Sequence, residues 1–353
     1  MNKRTFLMLS QVFESKRVND YRLYRVSEKL DGVRAYWDGG ISRGVKATDI
    51  PYANTEKDAR LLKGVIGTGL WTRYGKVIHA PGSWLDQLPK DVPLDGELFV
   101  DRGQFQRTVS ITKCHTPVED EWEHVKFMAF DSPSYEIFSF QGKINEVHHK
   151  ATFDTGVKEW FASKGAVSPL GPMPDFLRVT KFLSDRFPVC DSFDLADSGG
   201  VVRAVRQVPG DQWEDYYNRI IESGGEGVMF RAGWSNWVPN RSWDLMKMKP
   251  STSAICEIIG WRSGRETDKG SKLLGLMGSL KVRWDNQDFL LSGFNDNERK
   301  LLGAAEEWAI ANPDCDHPTG EGMLYFNIGE KIKFRYSELS VDGVPLKASY
   351  LRD

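Results

Sequence analysis

A lysine near the start of the chain lies in a setting that suits nucleophilic catalysis. It stands in the segment Glu28-Lys29-Leu30-Asp31-Gly32-Val33-Arg34. A lysine amine attacks an electrophile only when it is uncharged, and its pKa falls when the side chain is buried or lies near other cations. The segment alone is also typical of a charged strand end followed by a turn. Its meaning therefore depends on what accompanies it along the chain.

Four further segments follow this lysine in a fixed order. They are Leu94-Asp95-Gly96-Glu97-Leu98, Val125-Lys126-Phe127-Met128-Ala129-Phe130-Asp131, Gly225-Glu226-Gly227-Val228-Met229 and Leu245-Met246-Lys247-Met248-Lys249-Pro250. Each is weak by itself, whereas the ordered set of five resembles the signature of the covalent nucleotidyltransferases. That superfamily comprises DNA ligases, RNA ligases and mRNA capping enzymes.

The resemblance narrows to one branch of the superfamily and covers the chain from about residue 24 to its end. Five more segments are similar to the minimal ATP-dependent DNA ligases of bacteria and viruses. They are Arg73-Tyr74-Gly75-Lys76, Arg102-Gly103-Gln104-Phe105, Leu276-Met277-Gly278-Ser279-Leu280, Ser292-Gly293-Phe294 and Asp342-Gly343-Val344-Pro345. The resemblance implies that ATP donates AMP to Lys29. It also implies that AMP then passes to the 5′-phosphate of a nick in duplex DNA, where the neighbouring 3′-hydroxyl displaces it and seals the strand.

The resemblance also implies a role for individual residues. Lys29 would be the nucleophile, with Asp31 as the second catalytic residue, and Glu97 and Glu226 would hold Mg²⁺, or Mn²⁺ in its place. Mg²⁺ takes oxygen ligands, commonly one or two carboxylates plus phosphates and water. The nucleotide would be bound by Glu28, Leu30, Arg34, Arg73, Glu97, Phe130, Lys247, Lys249 and Arg352. Arg34, Lys247 and Lys249 are the cations expected to lower the pKa of the nucleophile.

Contacts with nicked double-stranded DNA must come from a local basic surface, because the formal net charge of the chain is only −2. The predicted DNA-binding residues are Arg43, Arg73, Arg262, Arg265, Lys269 and Lys272. The last four lie in one segment that is equally compatible with a solvated loop. Arg43 and Arg73 are alternatives for holding the 5′-phosphate of the nick, and the neighbours of Arg73 favour that residue.

Two kinds of rival function remain open at this point. One is an enzyme of the same superfamily, either an RNA ligase or a GTP-using capping enzyme. The other is a nick-binding protein with an inactive nucleotide site, against which the presence of every motif residue argues. An NAD⁺-dependent ligase is disfavoured by the chain length and by four cysteines that form no cluster.

The 353 residues suggest two domains. Strands are predicted at 33–37, 92–100, 125–130 and 227–231, and a helix at 212–222. A surface insertion spans about 39–70, and turn-forming residues near Pro250 mark a boundary. The expected fold is α+β: a nucleotidyltransferase (ATP-grasp-like adenylation) domain of antiparallel sheets with helices over 1–250, then a small OB-fold β-barrel domain over 251–353.

The barrel prediction rests on the strand content of the last hundred residues. Strands are expected at 255–261, 278–284, 288–291, 331–336 and 345–351, with one helix that Asn295 would cap and Pro313 would end.

No apolar run approaches the roughly 20 residues that cross a bilayer, and the apolar stretch at 6–9 is too short for a signal peptide. We therefore expect a cytoplasmic protein without membrane contact. We also expect it to act as a monomer.

Overall fold

A computed structural model describes residues 6–53, 64–136, 156–171, 174–192, 200–265, 273–340 and 342–352. The chain divides into two compact units, which meet in sequence between Met248 and Lys249. Two of the predicted DNA-binding residues, Lys269 and Lys272, lie outside the described residues, as does the middle of the predicted insertion.

Eleven strands in the described part of the first unit form two sheets. They are β1 Leu9–Val12, β2 Tyr24–Glu28, β3 Val33–Asp38, β4 Leu70–Thr72, β5 Pro93–Phe99, β6 Lys126–Asp131, β7 Val189–Cys190, β8 Val202–Val205, β9 Val208–Pro209, β10 Val228–Ala232 and β11 Arg241–Met248. The first sheet has the order β1-β11-β10-β2-β9, and the second has the order β4-β3-β5-β6-β8-β7.

Both sheets are mixed, which corrects the prediction of antiparallel sheets in that detail. Strand β1 is parallel to β11, and β8 is parallel to both β6 and β7. A parallel pair needs a long crossover connection. The connection from β6 to β8 is long and contains the helices Gly156–Ser163 and Phe176–Arg186.

Six helices of the first unit lie among the described residues. They are α1 Gly82–Leu85, α2 Phe105–Thr112, α3 Glu119–Trp122, α4 Gly156–Ser163, α5 Phe176–Arg186 and α6 Trp213–Glu222. Helix α6 confirms the predicted helix at 212–222, and its apolar stripe faces the core: Tyr216 and Ile220 are buried, and Trp213 and Tyr217 pack beside them. Helix α5 begins at a cap in which the Asp175 carboxylate accepts from the Arg178 amide (2.9 Å).

The predicted strands of the first unit are confirmed to within one or two residues by β3, β5, β6 and β10. The described parts of the predicted insertion do not all lie at the surface, because Ile50 and Tyr52 are buried against Trp71 and Tyr36. The Tyr52 hydroxyl donates to the buried carboxylate of Asp38 (2.6 Å). One end of the insertion is therefore anchored in the core.

The second unit is built on a five-stranded antiparallel sheet. Its strands are β12 Thr252–Ser263, β13 Met277–Trp284, β14 Gln287–Leu291, β15 Lys331–Tyr336 and β18 Ser349–Tyr350, and a separate pair consists of β16 Glu338–Leu339 and β17 Pro345–Leu346. The order in the sheet is β14-β13-β12-β15-β18. Strand β15 shows the expected alternation: Ile332 and Phe334 are buried, and Lys331, Lys333 and Arg335 are exposed.

The edge strands of this sheet meet at one point. Ser292, next to β14, forms an isolated bridge with Ser349 of β18, and the Tyr350 amide donates to the Ser292 carbonyl (2.8 Å). The described strands thus curl into a partly open barrel without a continuous closing ladder, the arrangement of an OB-fold. The fold is α+β, with a unit of two mixed sheets and helices followed by a unit built on an OB-like, partly open barrel.

The helix of the second unit starts later than predicted. Asn295 and Glu298 do form a reciprocal capping box, with amide-to-side-chain distances of 2.7 and 3.0 Å. The box closes an isolated turn, and α7 spans only Ala304–Ala311. Gly303 has φ 48° and ψ −119°, a backbone conformation that a continuous helix cannot contain. No helix in the described ranges is long and apolar enough to cross a membrane.

The contact between Tyr52 and Asp38 gives a first prediction. Burial raises the pKa of Asp38, so its charged form depends on the few donors around it. We expect Tyr52→Phe to lower the free energy of unfolding by roughly 1–3 kcal/mol, measured by urea denaturation. Tyr325→Phe, at a half-exposed tyrosine of the second unit, is the control. An unchanged stability of the Tyr52 variant would show that the hydroxyl does not support Asp38.

Candidate active site

Lys29 lies where the chain passes from the first sheet of the first unit to the second. It directly follows β2, and β3 begins four residues later at Val33. The Lys29 amide donates to the Gly227 carbonyl (2.8 Å), which extends the pairing of β2 with β10 by one step. Because Lys29 is anchored by its backbone at the end of a strand, its side chain starts from a fixed point.

The amine of Lys29 contacts a carboxylate that is distant in sequence. Its Nζ donates to Oε2 of Glu226, and a second, longer contact of 3.4 Å reaches the carbonyl of Leu30. The side chains of Lys29 and Glu226 are only 22% and 20% exposed. The structure therefore brings the predicted nucleophile and one predicted metal ligand together, away from bulk solvent.

Burial lowers the pKa of Lys29 from its ordinary value. The negative charges of Glu97 and Asp31 oppose this shift, and the positive charges of Arg34 and Arg73 add to it. A shift in this direction increases the share of neutral amine at neutral pH. Four of the predicted site residues thus act electrostatically on the nucleophile.

Glu97 belongs to β5, directly opposite Arg34 of β3. Burial raises its pKa to about 7, with Lys29 and Arg34 opposing the rise. The strand carrying Glu97 approaches the nucleophile segment very closely at Gly32. A Cβ on Gly32 would lie 2.3 Å from the Leu98 carbonyl oxygen and 2.8 Å from Cγ of Glu97. The glycine in the Lys-x-Asp-Gly segment is thus required by the close approach of β5, whose backbone and Glu97 side chain leave no room for a Cβ.

Gly96 has a comparable requirement on the other side of β5. A Cβ there would lie 2.5 Å from the Met128 carbonyl oxygen of β6. Gly96 lies within a strand, so the close approach of β6 accounts for this glycine. Gly227, beside Glu226, has a positive φ of 140°, a conformation that favours glycine.

Arg34 is held by a carboxylate below the site. Its Nε and Nη2 donate to the two carboxylate oxygens of Asp95 at 2.6 and 2.7 Å, a bidentate pair. Asp95 is fully buried and also accepts from the Trp237 indole (2.8 Å). The guanidinium carbon of Arg34 lies 4.5 Å from the ring centroid of Phe130. Arg34 thus links the buried Asp95 to the half-buried aromatic ring at the site.

Two further predicted nucleotide-binding residues have side chains directed into the protein. The Glu28 carboxylate is buried and is bonded to Arg102 and Ser192. Leu30 is buried with Phe99 and Met128. These contacts give both side chains a structural role, and the predicted contact with nucleotide stays a prediction.

The two lysines of the last motif fall on either side of the boundary between the compact units. Lys247 lies on β11, in line with Met229 of β10 and Ser27 of β2. Paired residues of neighbouring strands project from the same face of a sheet, and Lys29 is two residues beyond Ser27. Lys247 is therefore expected on the face from which Lys29 extends. Lys249 is half-buried and begins the second unit.

The arginines proposed for phosphate and DNA contacts have different surroundings. Arg73 is exposed just after β4, 4.7 Å from the Tyr74 ring, and its charge acts on Lys29. Arg43 instead pairs with Asp86 at the surface. The electrostatic link to Lys29 therefore supports the choice of Arg73.

The predicted residues of the second unit are partly engaged with its own carboxylates. Arg262 donates to Asp316 (2.7 Å), and Arg265 is exposed at the end of the described segment. Arg352 makes a bidentate pair with Glu298, at 2.7 and 2.6 Å. A role for Arg352 toward pyrophosphate would require this pair to open.

Sequence reasoning gave no role to several charged residues beneath the site. Asp95 and Arg102 lie in sequence motifs that predict no individual role for them. The sequence also did not predict the buried pair of Arg231 and Asp131 (3.3 Å). Burial raises the pKa of Asp131 to about 6. A buried strand containing a charged residue was the only available signal, and it does not identify the partner.

The donor set fits a magnesium ion rather than a zinc ion. Among the described residues, no three side chains of the His, Cys, Asp and Glu types are grouped so that they would hold a metal by themselves. Glu226 contacts Lys29, and Glu97 acts on the same amine. Two carboxylates near a nucleophile match a hard cation whose remaining ligands are phosphate oxygens and water.

The raised pKa of Glu97 predicts how stability depends on pH. The pKa of an unfolded glutamate is about 4.3, whereas burial raises the pKa of folded Glu97 to about 7. Between these values the folded chain binds more protons, so Glu97 makes folding less favourable as pH rises. We expect Glu97→Gln to gain stability relative to the natural chain between about pH 5 and pH 7.

Thermal denaturation at several pH values measures this difference. Glu222→Gln, which removes an exposed carboxylate, is the control for the substitution itself. A constant difference for Glu97→Gln would show that Glu97 ionises normally in the folded protein.

Comparisons with known proteins agree with the resemblance that the sequence motifs indicate. No protein-family model matches the chain. A protein named DNA ligase from Haemophilus influenzae (strain Rd) is 24% identical over 352 residues, covering 98% of this chain and 91% of that protein.

Solved structures share the fold along almost the whole chain. One, from a structure–function study of Lig E DNA ligases, has a TM-score of 0.56 and 24% identity and covers 98% of both chains. Another, called Pmar-Lig_PreS3, has a TM-score of 0.53 and 16% identity and covers 99% of this chain and 67% of that one. The resemblance to the minimal DNA ligases is thereby confirmed, and the chain has the fold of the Lig E structure over 98% of its length.

Proposed function

We propose that the protein is an ATP-dependent DNA ligase that seals nicks between a 5′-phosphate and a 3′-hydroxyl in duplex DNA. The observation that carries this proposal is the amine of Lys29, which is largely buried, contacts Glu226 and has a lowered pKa. The similarity to a protein named DNA ligase and to the Lig E fold supports the choice of DNA as substrate.

In the first step, the neutral amine of Lys29 attacks the α-phosphorus of ATP. A nitrogen–phosphorus bond forms, the bond to the bridging oxygen breaks, and pyrophosphate leaves. The amine loses its proton during this step, and Glu226 is the carboxylate in contact with Nζ. Contact with this carboxylate also limits the directions in which the amine can point, which favours a productive approach.

Charge on the phosphate oxygens has to be balanced by nearby cations. Arg73 is exposed and acts on Lys29, and Lys247 is expected on the same face as Lys29; both suit this role, together with Lys249. Glu97 and Glu226 would hold Mg²⁺, which supplies further positive charge at the phosphates when bound. The half-buried ring of Phe130 offers a flat surface for adenine. Arg34, which is bonded to Asp95, lies against this ring and fixes its position.

In the later steps, AMP passes from Lys29 to the 5′-phosphate of the nick, and the 3′-hydroxyl then displaces AMP. Asp31 is exposed beside the nucleophile and is assigned to these steps with the DNA strand. A monomer acting on nicked double-stranded DNA is the simplest arrangement. In the second unit, Arg265, Lys269 and Lys272 remain candidates for DNA contact.

Replacement of the nucleophile gives the decisive test. After incubation with ATP and Mg²⁺, we expect mass spectrometry to find one AMP adduct, located on Lys29, and no adduct in Lys29→Ala. Sealing of nicked duplex DNA should be lost in the same variant. Lys181→Ala is the control, because Lys181 is exposed and pairs with Asp185 on α5.

The same assay separates the proposal from its rivals. Adduct formation with GTP or NAD⁺ in place of ATP would change the donor, and preference for nicked RNA would indicate an RNA ligase. Full sealing by Lys29→Ala would refute the mechanism, and an adduct on another lysine would refute the site.

The carboxylate beside the nucleophile gives a second test. We expect Glu226→Gln to slow formation of the lysine adduct about 100-fold or more, because an oriented charge at the reacting group is lost. Chelation with EDTA should stop the reaction of the natural chain, and added Mg²⁺ should restore it. Glu222→Gln, four residues earlier, should react at the natural rate. Equal rates for both variants would remove Glu226 from the site.

A further inference from the structure

We propose that Arg102 is a positioning residue that fixes Lys29 against Glu226 by tying together the two chain segments that carry them. The inference rests on the proposed function and adds a residue to it. Arg102 belongs to the segment Arg102-Gly103-Gln104-Phe105, which distinguished the chain in sequence but received no role there.

The first contact of Arg102 is with the residue immediately before the nucleophile. Its Nε donates to Oε1 of Glu28 (3.0 Å), and its Nη2 lies 3.0 Å from the same oxygen. The amide and hydroxyl of Ser192 donate to Glu28 as well, at 3.0 and 2.6 Å. The side chain of Glu28 is only 2% exposed. A charge so deeply buried needs these partners, so the end of β2 is held firmly by them.

The second contact of Arg102 is with the segment that leads to Glu226. Its Nη1 donates to the Ser223 carbonyl (3.2 Å) and to the Ser223 hydroxyl. Ser223 is the first residue after α6 and stands three positions before Glu226. The hydroxyl in turn donates to the Arg219 carbonyl of the same helix (2.6 Å). Arg102 therefore grips the end of α6 and the end of β2 at once.

These two chain ends are also adjacent on the side of the reaction. The Lys29 amide donates to the Gly227 carbonyl, and the amine contacts Glu226. A Cβ on Gly225 would come within 3.3 Å of Oε1 of Glu28, so the segment from Ser223 to Gly227 runs closely past Glu28. The contacts of Arg102 and the contact between Lys29 and Glu226 thus join the same two chain segments, the end of β2 and residues 223–227.

Arginine suits this position better than lysine. Its guanidinium is planar, carries five donors and can bond two partners in fixed directions, whereas an ammonium is a single point of charge. Arg102→Lys keeps the positive charge beside Glu28 but cannot hold both segments in the same geometry. A shift of about 1 Å at a reacting group is enough to cost up to about 100-fold in rate.

The experiment measures two steps of the reaction separately. One is formation of the lysine adduct from ATP, which uses the Lys29 amine as nucleophile. The other is sealing of a nick that already carries AMP on its 5′-phosphate, in which Lys29 does not attack. We expect Arg102→Lys to slow the first step about tenfold or more, with a KM for ATP within about threefold of the natural value and sealing of the pre-adenylated nick nearly unchanged.

A milder variant covers the case in which Arg102→Lys does not fold. Ser223→Ala removes one acceptor of Arg102 and leaves Glu28 fully paired. It should slow adduct formation by about two- to fivefold, in proportion to a partial loss of alignment, again without slowing the sealing step. Arg107→Lys is the matched control, because Arg107 lies five residues on and pairs at the surface with Glu121 (3.8 Å).

The outcomes separate the inference from the proposed function. If the natural chain forms no adduct on Lys29, the proposed function fails. If it forms the adduct and the two Arg102 and Ser223 variants react at the natural rate, the inference alone is overturned. A parallel fall in both steps would also overturn it, because loss of folded protein lowers both equally.

Discussion

The site depends on a cationic side chain held largely out of water beside carboxylates. Removing an ammonium from solvent costs free energy unless it is paired or gives up its proton. Lys29 does the first through Glu226 and is moved toward the second by burial, with Arg34 and Arg73 adding to the effect. Most other features of the first unit can be understood as consequences of placing this amine.

The surrounding charges form layers that support each other. Asp95 holds Arg34, which lies beside Phe130 and opposite Glu97. On the other side, Glu28 is held by Arg102 and Ser192. Buried ion pairs of this kind are weak contributors to stability, but they allow few alternative arrangements of the chain. Their value here lies in the geometry that they impose on Lys29.

Much of the fold followed from patterns along the sequence. The strands with apolar and aromatic runs, such as β3 and β15, were confirmed because each needs only a local match between side chains and a buried face. Helix α6 was confirmed for the same reason. The predicted start of α7 was wrong because a capping box is a local motif. The box formed in a turn, and the backbone conformation of Gly303 separates this turn from the helix. The parallel strand pairs were missed because nothing in a strand records its neighbour.

For the site, the sequence by itself determined which residue types occur and in which order, and this was enough to single out Lys29, Glu97 and Glu226. Chemistry restricts those types, so order and type carry information without a structure. Only the tertiary structure decided which charges meet: that Glu226 contacts Lys29, that Arg34 pairs with Asp95, and that Arg102 joins Glu28 to Ser223. These contacts span from 61 to 197 positions of sequence. Such pairs arise from the packing of whole sheets, and no local pattern specifies them.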